Sequence, residues 1–168
     1  ILNGHNHPQP VARLVGEAVV LTVLLGSALK LDGRFILQTK TDGPVRMLVV
    51  DYRSPGAVRA CARFDKDQVT KVIESSKASA GALLGHGHLA MTIDQGTDRS
   101  RYQGLVALEG GNLEDAAHEY FKRSEQIPTQ VRLAVGEELS SGNRRNWRAG
   151  GMLLQFLPKD PERARMAD

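Results

Sequence analysis

The chain has 168 residues, of which 41% are hydrophobic, 24% charged and 5% aromatic; this suits one globular domain and excludes a disordered or collagen-like polypeptide. Its 22 Lys and Arg against 19 Asp and Glu leave a net charge of +3, a weak attraction for nucleic acid. Cys61 is the single cysteine, which excludes an internal disulfide framework and a zinc module built on four cysteines.

In chain order, Ile1-Leu2-Asn3-Gly4 reads as the tail of a longer element, and no basic segment with a cleavage site follows it, so no signal peptide is expected. The apolar stretch Val11 to Leu31 carries Arg13, Glu17 and Lys30. Those charges argue against a membrane span and for a central buried helix, opened by Pro10 and weakened in its last turn by Gly26-Ser27. The expected compartment is therefore the cytosol.

Asp32-Gly33 is a hairpin cue ahead of a strand from Arg34 to Thr41. Turns at Thr41-Asp42-Gly43-Pro44 and Ser54-Pro55-Gly56 separate it from strands at Val45–Tyr52 and Ala57–Phe64, which makes an antiparallel meander. Asp67–Ser76 fits a short helix or a lid loop, and 75–81 is small and polar. Leu89–Asp94 and Arg101–Leu108 read as two further strands. Asn112 caps an amphipathic helix near 112–125, with Leu113, Ala116, Ala117, Tyr120 and Phe121 on one face and Pro128 as its stop. Val131–Val135 is a strand, Gly136–Arg145 a polar loop, Arg148–Leu157 a final strand and Lys159–Asp168 a charged tail. The class is α+β: a sheet-rich single domain with an antiparallel sheet.

Chemistry-bearing residues are sparse. His5-x-His7 and His86-x-His88 have the spacing of metal ligands, but neither pair has a third ligand nearby, so turn and surface roles are favoured. Gly110-Gly111-Asn112 before a helix offers N–H groups to an anion, yet it lacks the Lys and Ser/Thr of a phosphate loop. Glu109, Glu114, Asp115 and Glu119 fit compensation of the helix dipole better than acid–base catalysis. Trp147 flanked by Arg144, Arg145 and Arg148 is the one basic–aromatic cluster, and it supports an alternative reading as a small nucleic-acid-binding module. Cys61 shares a strand face with Arg59 and Arg63, a setting that activates thiols; without a second cysteine an incidental role is favoured. No catalytic residues and no metal ligands are assigned, and the chain is not expected to be an enzyme.

Several longer stretches carry more information. These are His7-Pro8-Gln9-Pro10-Val11, Leu29-Lys30-Leu31-Asp32-Gly33-Arg34, Thr41-Asp42-Gly43-Pro44, Arg101-Tyr102-Gln103-Gly104 and Leu108-Glu109-Gly110. They are followed by Tyr120-Phe121-x-Arg123-Ser124-Glu125-Gln126-Ile127-Pro128-Thr129 and Ala149-Gly150-Gly151-Met152-Leu153-Leu154-Gln155. In this order and at these separations they resemble the redox-regulated 33 kDa heat-shock chaperone family (heat shock protein 33). The resemblance implies a bacterial cytoplasmic holdase, independent of ATP, that binds unfolding client proteins under heat and oxidative stress and can dimerise when oxidised. It implies a chaperone core domain over 1–158, lacking its extreme N-terminal segment, and the start of a linker at 159–168. The family's zinc and its switch cysteines belong to a C-terminal module that this sequence does not contain; no cofactor is expected in the present chain. Val45, Leu48, Val50, Val58 and Phe64, all drawn from the meander, are the expected client-contacting residues. Neither nucleic acid nor membrane is an expected partner.

Overall fold

The computed structural model describes residues 7–28, 33–75, 78–95, 101–125, 127–140 and 144–156. Helix α1 (Gln9–Ala28) begins where Pro8 accepts the Ala12 N–H at 2.9 Å. By length and composition alone it is apolar enough to cross a bilayer. Here it is the core helix: Val11, Leu14, Ala18, Leu21 and Leu25 are all buried. Thr22, the polar residue inside its apolar run, donates its hydroxyl to the Ala18 carbonyl at 2.6 Å and so is satisfied within the helix. Gly26 is a close-approach residue, because a Cβ there would run into the ring of Tyr52.

Strands β1 (Arg34–Thr41), β2 (Val45–Arg53) and β3 (Ala57–Phe64) form the expected meander. Of the hairpin cue, Asp32 lies outside the described residues, and Gly33 immediately precedes β1. Helix α2 (Lys66–Glu74) resolves the helix-or-lid question: the Asp65 carboxylate accepts the Asp67 and Gln68 N–H groups, both at 3.1 Å. A five-residue helix, α3 (Ala80–Leu84), occupies part of the expected polar stretch, capped by Ser79. Strands β4 (His86–Asp94) and β5 (Tyr102–Glu109) then complete a five-stranded antiparallel sheet in the order β3-β2-β1-β4-β5. β4 starts three residues earlier than expected, and places His86 and His88 inside the strand.

Helix α4 (Leu113–Tyr120) has the Asn112 cap its sequence announces, completed as a capping box: Asn112 accepts the Asp115 N–H at 2.8 Å, and Asp115 accepts the Asn112 N–H at 3.3 Å. A π-helical turn, Phe121–Glu125, extends it. The largest departure from expectation follows. Most of the expected loop Gly136–Arg145 is strand: β6 (Thr129–Ser140) and β7 (Arg144–Gln155) pair along their full length as a two-stranded ribbon, and 141–143 lie outside the described residues. Its distal half pairs Glu137 with Trp147 and Glu138 with Asn146, and the Arg145–Glu137 and Arg148–Glu138 ion pairs cross it at 3.6 and 2.7 Å. No apolar alternation marks this half, because most of it faces water on both sides.

The layers follow from the faces of α1. One side lies on β1, β2 and β3, and the ribbon closes another, with α4 between β5 and β6. Gly151 in β7 permits the ribbon's close approach: a Cβ there would sit 2.6 Å from Val20 Cγ1 and 2.9 Å from Leu24 Cδ1.

Candidate functional site

Strand alternation sends Leu48 and Val50 to the inner face, and the bulge between Val45 and Met47 turns Val45 to the same side; each is 0% exposed. Val58 and Phe64 are half-buried on the same inner face, at the edge strand β3. As surface residues the first three are therefore corrected: they form the floor of the core. Helix α1 covers the face of β2 that holds them and leaves the other face to solvent.

That other face is built by register. Its middle row runs Leu105–Ala90–Gln38–Val49–Cys61 across all five strands. Gln38 and Cys61 are exposed, Val49 is half-buried, and Leu105 is 63% exposed, among the most exposed large apolar side chains of the domain. One row along the strands lie Ala107, His88, Lys40, Met47 and Arg63; in the opposite direction lie Gln103, Thr92, Ile36, Asp51 and Arg59. Asp51 accepts hydrogen bonds from Arg34 on β1 and Arg59 on β3. The Arg34 bond above all, with Arg59 adding, holds the Asp51 carboxyl below the usual carboxylate range. Gln103 donates to the Thr92 hydroxyl at 2.9 Å, and Arg101 pairs with Asp94 at 2.9 Å. Lys40, Arg53 and Arg63 are exposed and have no ion-pair partner among the described residues.

Some of the residues that carry the family resemblance are packing residues and others lie at the surface. Gly104 is buried under the Tyr120 ring, where a Cβ would collide with it, and Tyr120 meets Phe121 edge-to-face at 5.4 Å. Arg123 pairs with Glu119 one turn earlier, and the Pro128 carbonyl accepts the Phe156 N–H at 2.9 Å. Tyr102 is 46% exposed and Ser124 exposed, while a Cβ at Gly150 would meet nothing within 4 Å. Gln126 and the side chains of Glu125 and Arg144 lie outside the described residues.

Two α4 side chains have a role the sequence reading missed. Glu114 Oε1 accepts the Leu133 N–H at 2.6 Å, and His118 Nε2 accepts the Val131 N–H at 2.8 Å. Being one helical turn apart, they meet alternate donors on the free edge of β6 and seal it, as a third strand would. The i, i+4 spacing on the helix and i, i+2 spacing on the strand were the available signals. At the start of α4 the Asn112 and Asp115 N–H groups are engaged by the capping box. The concavity beside it, about 400 Å3, is lined by Glu17, Glu114 and Asp115, which disfavours an anion. Burial pushes the Glu17 carboxyl above its ordinary range, partly offset by Arg13 and reinforced by Glu114. A mostly apolar cavity of about 240 Å3 between α1, β4, β7 and the end of α4 has Gln155 and the Tyr120 hydroxyl as its polar groups among the described residues. Among the described residues no group of three or more His, Cys, Asp or Glu can hold a metal. At the ribbon tip, Arg145 and Arg148 are engaged by glutamates, and Trp147 is half-buried.

Together these features define an α+β domain with an open, solvent-facing sheet face. The family model described as Hsp33 protein matches residues 1–167. The "33 kDa chaperonin" of Caulobacter vibrioides (strain NA1000 / CB15N) is 47% identical over 169 residues, covering 100% of this chain and 56% of its own length. That of Photorhabdus laumondii is 40% identical over 158 residues, covering 94% and 50%. A crystal structure of the 33 kDa chaperonin homologue from Thermotoga maritima superposes with a TM-score of 0.68 at 22% identity, over 90% of this chain and 50% of that one, a likeness of fold. The chain belongs to the Hsp33 family. It spans about half the length of the curated relatives it matches.

Proposed function

We propose that this domain is the client-holding part of an ATP-independent holdase chaperone, which captures unfolding proteins under heat or oxidative stress through the open face of its sheet. The observation that carries the reading is the uncharged row Leu105–Ala90–Gln38–Val49–Cys61, on a face whose exposed positions no described element covers. A holdase needs apolar surface without an enclosing pocket, since burial of client surface contributes about 25 cal/mol per Å2 whatever the client's shape. The relatives' name, 33 kDa chaperonin, supports the same class.

Redox control of the kind found in the family needs more thiols than Cys61, which cannot form an intramolecular disulfide. The residues present likewise do not fit a cysteine zinc centre. The test is light scattering of a heat-denatured client without ATP. Excess protein should suppress aggregation, and Leu105→Glu with Val49→Glu should weaken that suppression while the domain stays folded. No suppression at excess protein would refute the reading.

A further inference from the structure

We propose that the open sheet face selects client segments that are apolar along one side and carry carboxylates along their flanks, with Lys40 and Arg63 as specificity determinants. The inference rests on the chaperone reading and adds the chemistry of the preferred client.

Charge complementarity and the strand register point to the occupant. On β1–β3 this face presents Arg34, Lys40, Arg53, Arg59 and Arg63 against one carboxylate, Asp51, while Arg46, exposed at the β2 bulge, is paired with Asp65 just past β3. Asp51 is consumed by Arg34 and Arg59 together, so that flank remains net positive after pairing. On the opposite flank Lys40 and Arg63 stand either side of Met47, exposed and with no ion-pair partner among the described residues. Between the two basic flanks runs the uncharged row ending at Leu105. The acidic residues of this face outside β1–β3 lie on the β4–β5 side: Asp94, held by Arg101, and Glu109 at the end of β5.

The spacing fits one occupant. Residues two apart on a strand are about 6.8 Å apart, so the basic flanks lie roughly 14 Å from each other. An α-helix with side chains is about 10–12 Å wide and fits between them. Five strands span about 19 Å, the length of roughly 13 helical residues. An amphipathic helical segment laid across the strands puts its apolar stripe on Val49 and Leu105, and its flanking Asp or Glu within reach of Lys40 and Arg63 on one side and Arg59 on the other. A segment with Lys flanks meets like charge on both sides. Exposed pairs are individually weak, but several acting in one direction combine into a preference of about tenfold.

The experiment uses two fluorescein-labelled 14-residue amphipathic peptides with one shared Leu/Ala face, one flanked by Glu and the other by Lys. Anisotropy titrations are run at roughly 50 and 300 mM NaCl, which bracket the screening range. The Glu-flanked peptide should bind about tenfold tighter at low salt, with the advantage shrinking at high salt. Lys40→Gln with Arg63→Gln should shrink the preference to the part left by the Arg59 flank, and Lys40→Glu with Arg63→Glu should bring it close to nil. Equal, salt-independent binding of both peptides, or a preference unchanged in both double variants, overturns the selection. Preferential binding of the acidic peptide by a protein that suppresses no aggregation upholds the selection and overturns the chaperone reading instead.

Discussion

Gly150 and Gly151 are neighbours in β7, yet alanine at the two positions should move stability in opposite directions. At Gly151 the new Cβ would stand 2.6 Å from Val20 Cγ1, 2.9 Å from Leu24 Cδ1 and 2.9 Å from the Arg132 carbonyl oxygen. Carbon pairs rest near 3.5–4 Å, so the ribbon must rise by about 1 Å from α1. One of the three obstacles is backbone of the paired strand and cannot swing aside. Overpacking of this kind costs about 1–3 kcal/mol. At Gly150 nothing lies within 4 Å, and the strand backbone needs no left-handed angle. Alanine there restricts the unfolded chain and stabilises by about 0.4–1 kcal/mol. The two variants should therefore differ by roughly 1.4–4 kcal/mol, or roughly 3–16 °C in Tm for a domain of this size. Urea unfolding followed by circular dichroism and by the fluorescence of Trp147, the single tryptophan, reads both midpoints at constant m. A Gly151→Ala midpoint at or above wild type, or the same direction for both variants, would refute the packing argument.

Three further outcomes are expected. His118→Ala leaves the N–H of fully buried Val131 without its acceptor. It should cost about 1–3 kcal/mol and speed hydrogen exchange at the Val131 amide, whereas His118→Gln, which keeps an acceptor, should recover most of both. For Glu17 the folded-state pKa lies above the unfolded value. The folded state thus holds the proton more tightly, and stability falls as pH rises through the window between the two values. Glu17→Gln should raise Tm at neutral pH, with the gap closing as pH is lowered into the ordinary carboxylate range; a gap that widens on acidification would contradict this. Asp51 has the opposite sign: its lowered pKa contributes stability that is present above the unfolded carboxylate value and lost on acidification through the folded one. Asp51→Asn should therefore lower Tm at pH 7 and converge with wild type in acid, as differential scanning calorimetry across pH would show.

Much of the fold could be read from local signals. Asn112 announced its cap, though the return bond from Asp115 was not foreseen, and the turns at 41–44 and 54–56 fixed the meander. What failed was the choice of face on β2. Met47 and Val49 alternate with Leu48 and Val50, so both faces look apolar, and the decision belongs to α1, a helix that meets β2 only in three dimensions. The distal ribbon was hidden for a related reason. Strands held by cross-strand ion pairs in water have the composition of a loop, and Glu137 and Arg148 gave no periodicity to follow. The face proposed to hold clients was invisible, since it is a product of register: Leu105 and Cys61 lie 44 positions apart in sequence and share a row because β1, β2 and β4 lie between them. The family motifs identified the lineage through packing residues such as Gly104 and Tyr120, which do not themselves touch that face.

The seating of Gly151 against Val20 and Leu24 has a consequence for biosynthesis. Translation at about 5–20 residues per second separates the emergence of α1 from that of its β7 cover by roughly 7–26 s. Throughout that interval the most apolar helix of the chain has one side without its final partner, and closure waits on contacts some 130 positions apart in sequence. A domain proposed to shield other unfolding chains thus passes through its own period of exposure on the ribosome. Its folding yield should depend on how soon the last strand is released.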